Sequence, residues 1–255
     1  MFYENDYFIV NDKGNIVHNG GLIYQAPTGD SQNGFLGNLN PDFSFGLINT
    51  FSYKNLALSF QIDGRVGGKI YDFIYAQAMN GGTAAETATG KFGEARLAEW
   101  KSLRDNGMTI PSYIGEGVKI VSGTPRFENG QIVNFDELTF APNDVATTVQ
   151  SYITGSNGLY GNTEYFMIDR SFVKLRELSL SYTLPQTAFK GFFRSATISL
   201  VGRNLLYFAE RKDMDVDSFA SGFNSSDRAA SGSSGTVGLQ SATTRRYGIN
   251  INLSF

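Results

Sequence analysis

Three groups of side chains have the types and spacing to hold a ligand. Asp213, Asp215 and Asp217 alternate along Asp213-Met-Asp-Val-Asp217, the spacing at which an acidic loop converges on one calcium ion. The loop departs from the calcium pattern at the sixth position, where Ser218 stands in place of glycine. It departs again at the twelfth, where Asn224 stands in place of glutamate. A solvated acidic loop is the other reading of these aspartates. Gln61, Asp63 and Arg65 alternate in a second stretch and would line either a polar passage or an ordinary solvated wall. Trp100, Tyr113, Tyr152, Tyr160 and Tyr165 fall in an irregular region, where rings stack on sugars or a peptide, or pack their own loop. Arg245-Arg246 beside Tyr247 would hold an acidic group or a lipid headgroup, or act as an anchor next to an aromatic girdle.

Catalysis has little to draw on. Cysteine is absent, so no thiolate nucleophile, thiolate metal site or disulfide framework is available. His18 is the single histidine, which argues against His-based catalysis and against a multi-His metal site. Asp136 and Glu137 are adjacent, so on a strand they face opposite ways and share no substrate. No Ser-His-Asp set and no phosphate-cradling glycine loop is found. The chain is therefore expected not to be an enzyme and to carry no cofactor beyond the calcium candidate. A formal net charge of -3 gives no nucleic-acid footprint.

The elements that must position these residues are strands. In Tyr247-Gly-Ile-Asn-Ile-Asn-Leu-Ser-Phe255, Tyr247, Ile249, Ile251, Leu253 and Phe255 share one side, and Gly248, Asn250, Asn252 and Ser254 the other. That apolar side must lie against a core or lipid. The same period of two puts Phe45, Leu47, Phe51 and Tyr53 on one face. After the two-residue turn Lys54-Asn55 it resumes with Leu56, Leu58, Phe60 and Ile62, so residues 43–66 read as a hairpin with one apolar face. Leu178, Leu180, Tyr182 and Leu184 oppose Ser179, Ser181 and Thr183, and Ile198 and Leu200 oppose Thr197 and Ser199. Phe172-Val-Lys-Leu-Arg-Glu177 is charged and less regular.

Between these strands the pattern breaks. Residues 71–79 and 92–105 read as helices, the second with Gly107 as its C-cap, and a short helix is expected near residues 142–152. Residues 1–42 read as loop with a small hairpin around the turn Asn11-Asp-Lys-Gly14, and 209–240 as a mobile Ser/Gly-rich loop. Short connections (54–55 and 185–194) alternate with long ones (66–163 and 209–240), which sets all short turns at one end of the strands. Bacterial outer-membrane barrels have this asymmetry. No apolar run reaches the length of a membrane helix, and the start Met1-Phe-Tyr-Glu-Asn-Asp is no signal peptide. A chain taken whole would then be cytoplasmic; as a piece of something longer, it loses that reading.

The segment Asp169-Arg-Ser-Phe-Val-Lys-Leu-Arg-Glu-Leu-Ser-Leu-Ser-Tyr-Thr-Leu-Pro185 resembles the penultimate-hairpin motif of the SusC/RagA family of TonB-linked (TonB-dependent) outer-membrane transporters. Val201-Gly-Arg-Asn-Leu-Leu-Tyr207 is similar to the family's next motif, and the terminal aromatic strand to its ending. Upstream, Gly37-Asn-Leu-Asn-Pro-Asp-Phe43, Phe51-Ser-Tyr-Lys-Asn-Leu56 and Asp63-Gly-Arg65 resemble the preceding hairpin. The resemblance implies a barrel of about 22 strands with an N-terminal plug, importing glycans or peptides under a SusD-like lipoprotein lid. Signal peptide, TonB box and plug have no counterpart here.

The expected fold is all-β: an antiparallel, up-and-down transmembrane β-barrel segment of about five open-edged strands, with long extracellular loops carrying short helices. Its parts are a loop at 1–42, a barrel hairpin at 43–66, a long loop at 67–163, and C-terminal strands at 164–255. The expected function is the C-terminal barrel portion of a TonB-dependent nutrient importer in the cell outer membrane. Its partners would be the rest of the barrel and plug, a SusD-like lipoprotein, TonB through the absent N-terminal region, the barrel-assembly machinery, and a glycan or peptide substrate. A self-contained secreted carbohydrate-binding β-sandwich, or a passive porin or adhesin fragment, is the alternative.

Overall fold

The structure, a computed structural model, describes residues 2–3, 7–27, 34–185, 187, 194–212, 215–217 and 243–254. Among these the chain forms two compact units. One draws on residues up to Gly37 and on Tyr71–Met167; the other on Asn38–Ile70 and on the described residues from Ile168 onward. Among the described residues no helix is long and apolar enough to cross a membrane.

The second unit is an antiparallel sheet of five strands: β1 (Phe43–Tyr53), β2 (Leu56–Val66), β3 (Phe172–Leu184), β4 (Ser195–Ala209) and β5 (Arg246–Ser254). Their order across the sheet is β5-β4-β3-β2-β1, so every strand pairs with its predecessor among these five. That is the up-and-down arrangement expected from the alternating patterns. The register pairs apolar with apolar along the whole width: Phe51 faces Leu58, Leu58 faces Leu180, Leu180 faces Leu200, and Leu200 faces Ile249. Such directly opposed pairs are the unit of stabilisation in a sheet. The other face carries a hydroxyl ladder, with Thr50 donating to Ser59 (3.1 Å), Ser181 to Ser199 (2.8 Å), and Thr183 lying 3.0 Å from Thr197.

Two departures from strict alternation appear. In β1, Ile48 sits opposite Gln61 on the polar face and Asn49 opposite Phe60 on the apolar one. In β3, Leu175 pairs with Ile62 and Glu177 with Gln61, so Arg176 is an extra, bulged residue. On the β4 side two residues, Asn204 and Leu205, lie between the partners of Leu175 and Glu177, and Asn204 takes the left-handed φ of 53°. The bulge is why Phe172–Glu177 looks irregular as a sequence.

Gly64 shows how tightly the hairpin closes. A Cβ there would stand 2.5 Å from the Phe45 ring and 2.8 Å from the carbonyl oxygen of Phe172. Phe45 lies directly across from Gly64 and covers the bare backbone.

In the first unit, residues expected as loops build a core of their own. Thr139–Pro142, Val118–Ser122, Val17–Asn19 and Leu22–Ile23 form a four-stranded sheet in that order, with Val17–Asn19 parallel to Val118–Ser122. Three helices accompany it: α1 (Phe73–Asn80), α2 (Gly90–Asn106) and α3 (Val149–Thr154). Asp72 caps α1 by accepting from the Tyr75 amide (2.9 Å), and Thr148 caps α3 by accepting from the Ser151 amide (3.1 Å). Gly107 ends α2 at φ 72°, its N–H donating to the Leu103 carbonyl at 2.9 Å. Met79, Ala95, Tyr113, Val149, Tyr152 and Phe166 belong to one apolar cluster; Ile9, Val17, Ile132 and Leu138 form another. These strands are two to five residues long, and the central pairing, Val17 with Val118, joins residues about a hundred positions apart. Neither property shows as a local period.

His18 is buried in this unit, its Nε2 3.1 Å from the Tyr152 hydroxyl. Burial holds its pKa below the ordinary 6.5, offset in part by the backbone of Ile16 and Val118. The unfolded chain therefore takes up a proton that the folded unit resists. Stability should be flat above about pH 6.5 and fall as pH drops below it. Thermal melts followed by Trp100 fluorescence should show that slope, and His18→Gln should flatten it. Independently, Gly64→Val should destabilise the sheet by about 1–3 kcal/mol through overpacking, measured by urea unfolding.

Candidate functional site

The polar face of the sheet is uneven: hydroxyls at one end, charges at the other. The charged end is the one from which both long connections leave, at Val66 and Ala209. The pleat positions its members. Asp63 and Arg65 alternate on β2, and the register sets Lys174 opposite Asp63 and Phe172 opposite Arg65. On β4, Tyr207 sits opposite Lys174. The bulge then adds Arg176 to the same group, since Arg176 Nε donates to both oxygens of Asp63 at 2.6 and 2.9 Å.

The connection after β4 closes the site. Asp215 accepts from Lys174 Nζ and from the Thr243 hydroxyl, so its carboxylate joins the two ends of the 210–245 connection to each other and to β3. Asp217 accepts from Arg176 Nη2, lies 3.4 Å from Lys174 Nζ, and faces Arg65 at 3.8 Å. The Val216 amide donates to the Tyr207 hydroxyl at 3.0 Å. Lys174, Arg65 and Arg176 also surround the Phe172 ring at 5.3, 5.5 and 6.0 Å from its centroid. Lys174 is 2% exposed and Asp215 8%, so this pair is desolvated and held by mutual charge. Burial alone would raise the Asp215 carboxyl; the hydrogen bonds from Lys174, Thr243 and the Asp217 amide outweigh it and hold the pKa below the ordinary carboxylate value.

Two groups that the sequence presents separately therefore meet here. Asp63 and Arg65 of the polar wall and Asp215 and Asp217 of the acidic loop form one ionic network, while Gln61 stays exposed one pair further down the strand. Of the three calcium candidates, Asp215 and Asp217 accept from ammonium and guanidinium donors. Asp213 lies outside the described residues. Lys174, Arg176, Tyr207 and Thr243 were not legible as site residues. The one signal was the charged, irregular stretch Phe172–Glu177.

The aromatic candidates divide. Tyr113 and Tyr152 are core residues of the first unit, ring centroids 4.7 Å apart, with Phe92 stacked on Tyr113 at 4.5 Å. Of the two readings open to these rings, packing within their own region is the arrangement seen for Tyr113 and Tyr152. Burial pushes the Tyr113 phenol up to about 12, with the charges of Glu116 and Tyr165 adding to it. Tyr160 is half-buried and its hydroxyl accepts from Gln77 Nε2 at 2.7 Å. Tyr165 packs edge-on against Phe166 and stays partly exposed. Trp100 is exposed on α2 beneath the Arg104 guanidinium, 4.9 Å away. On β5, Tyr247, Ile249, Ile251 and Leu253 are exposed, and Phe255 lies outside the described residues.

No protein-family model matches the sequence, and no curated protein matches it significantly. Solved structures do. One chain of the RagAB peptide importer in its "open-open" state matches with a TM-score of 0.50 at 18% identity, covering 100% of this chain and 22% of that one. The "closed-closed" state of the same importer matches with a TM-score of 0.48 at 15% identity, covering 100% and 23%. At such identity the likeness is one of fold. This chain spans less than a quarter of the length of the chains it matches.

The buried pair allows a sharp test. Lys174→Ala should cost about 3–5 kcal/mol, because it strands the Asp215 carboxylate without its partner. Lys174→Met combined with Asp215→Leu should recover most of that loss. Urea unfolding of Lys174→Met, of Asp215→Leu and of the double variant gives the coupling directly; additive costs would show that the two groups do not interact.

Proposed function

We propose that this chain is the C-terminal wall and loop portion of a SusC-like, TonB-dependent outer-membrane transporter, with no catalytic step of its own. One observation carries the reading: the apolar face of all five strands stays uncovered while the opposite face is hydroxylic and ionic. Tyr247, Ile249 and Ile251 are 77, 69 and 60% exposed, and Phe51, Leu58, Tyr182 and Leu200 continue the same surface. An apolar surface that wide on a protein in water is an association site or an aggregation hazard. Against hydrocarbon it is the ordinary exterior of a barrel wall, whose strands alternate apolar-out and polar-in. Strand lengths of 9 to 15 residues suffice to cross. The secreted sandwich needs a second sheet over this face, so the exposure favours lipid.

Other observations support the reading without carrying it. The fold likeness is to chains of a peptide importer, which favours peptide over glycan as cargo. Both edges of the sheet, β1 and β5, are unpaired with further strands among the described residues. Free strand edges in lipid cost several kcal/mol per backbone group, so the wall requires further strands to close it. A plug, a SusD-like lipoprotein, TonB and the assembly machinery are the partners such a wall would have. The ionic end of the polar face would then stand at the outer mouth of the barrel interior.

The test is location and sidedness. Expressed in its full-length context, the protein should fractionate with the outer membrane, require detergent for extraction, and migrate heat-modifiably. Ile251→Arg should lower folded barrel yield, since arginine on the lipid face costs about 2–4 kcal/mol near the bilayer midplane. Asn250→Arg, on the watery face, should leave yield unchanged. A protein that is soluble and monomeric without detergent would overturn the reading.

A further inference from the structure

Helix α2 and the segment Ser112–Gly117, both in the first unit, enclose a groove of about 630 Å³. From the helix come Lys91, Glu94, Ala95 and Ala98, which stand at i, i+3, i+4 and i+7 and so form one stripe. Glu99, on the same helix, is buried and holds the opposite wall in place: its Oε1 accepts from the Val149 amide at 3.0 Å and from the Ser112 amide at 3.4 Å. The floor is backbone. A Cβ on Gly115 would meet Tyr152 and His18 at 2.5 and 2.6 Å, so this stretch lies flat on the core.

The direction of the backbone groups is what makes the groove a site. Tyr113 pairs antiparallel with Thr147 through both its N–H (3.0 Å) and its C=O (2.8 Å). Successive residues of an extended segment point these groups to opposite sides. Ile114 therefore turns its N–H and C=O away from Thr147, toward the side to which the Ser112 amide already donates, which is α2. Among the described residues the Ile114 groups have no hydrogen-bond partner. A helix stripe facing a length of extended backbone with unpaired groups leaves room for a peptide to add alongside it as a strand. Charge narrows the ligand further. Lys91 is neutralised by Glu116, whereas Glu94 has no ion-pair partner among the described residues.

We propose that this groove binds a short, free, extended peptide, which pairs its backbone with Ile114 and sets a lysine, arginine or amino terminus against Glu94. The volume lies within the range of small-ligand sites and encloses only a handful of residues, which suits a free peptide. The site does not depend on the membrane reading. Loss of outer-membrane fractionation would leave it standing, and loss of peptide binding would leave the barrel wall standing.

The experiment is fluorescence anisotropy on the full chain in detergent micelles. The probe is a fluorescein-labelled five-residue peptide with a central lysine flanked by valines. The wild type should bind it saturably. Ala98→Trp fills the groove from an exposed helix position and should abolish binding, with far-UV circular dichroism checking the fold. Glu94→Gln should weaken binding by about two- to five-fold, the scale of an exposed ion pair. Glu94→Lys should reverse the preference toward a probe with central glutamate, which serves even if the tryptophan variant fails to fold. Backbone N-methylation of the probe should remove binding. No saturable binding by the wild type, equal affinity for the methylated probe, or an unchanged charge preference in Glu94→Lys would each overturn the proposal.

Discussion

A pleated strand has to put successive side chains on opposite faces, and the sheet of this protein depends on that constraint throughout. Because the period is two, a slip of one residue in any pairing would carry a whole apolar row onto the ionic face. The register that places Leu58 between Phe51 and Leu180 also places Asp63 opposite Lys174. The oily surface and the charged cluster are therefore two consequences of one alignment. The Arg176 bulge fits the same logic: it shifts the alternation once, and two successive cationic and acidic residues, Arg176 and Glu177, both find partners on the polar side.

The two ends of the polar face are held by different physics. Hydroxyl pairs such as Ser181 with Ser199 are neutral, short-reaching and tolerant of water. The Lys174–Asp215 pair is desolvated, so its attraction must offset the loss of hydration of both ions. It does so with help from Thr243, Asp217 and the ring of Phe172. A contact of this type contributes little to net stability relative to an apolar pair, yet breaking it on one side is costly. Its effect here is to specify where the 210–245 connection starts and ends on the wall.

The first unit solves another problem, that of ordering long connections without long strands. Its sheet is assembled from short pieces, and its polar core groups do the fixing. Glu99 satisfies the first amide of α3 and the Ser112 amide at once, and His18 meets Tyr152 behind Gly115. A buried carboxylate with two amide donors is inexpensive compared with an unpartnered one. The result is a rigid edge of backbone beside an amphipathic helix, made from residues whose sequence shows no strand period.

Local periods and local backbone requirements determined where the five strands lie and most of their apolar rows, together with the turn at Lys54-Asn55 and the helix ending at Gly107. They also separated Asp63 and Arg65 from the oily side. What they did not contain was any link between those residues and Asp215, since 152 positions separate Asp63 from Asp215 and only strand pairing brings them together. The same holds for the tyrosines. Tyr113 and Trp100 look alike as loop aromatics, and only the packing of α2 against α3 decided that one would be core and the other exposed. A side chain's type is written in the chain, whereas its neighbours are set by the contacts that the whole fold makes at once.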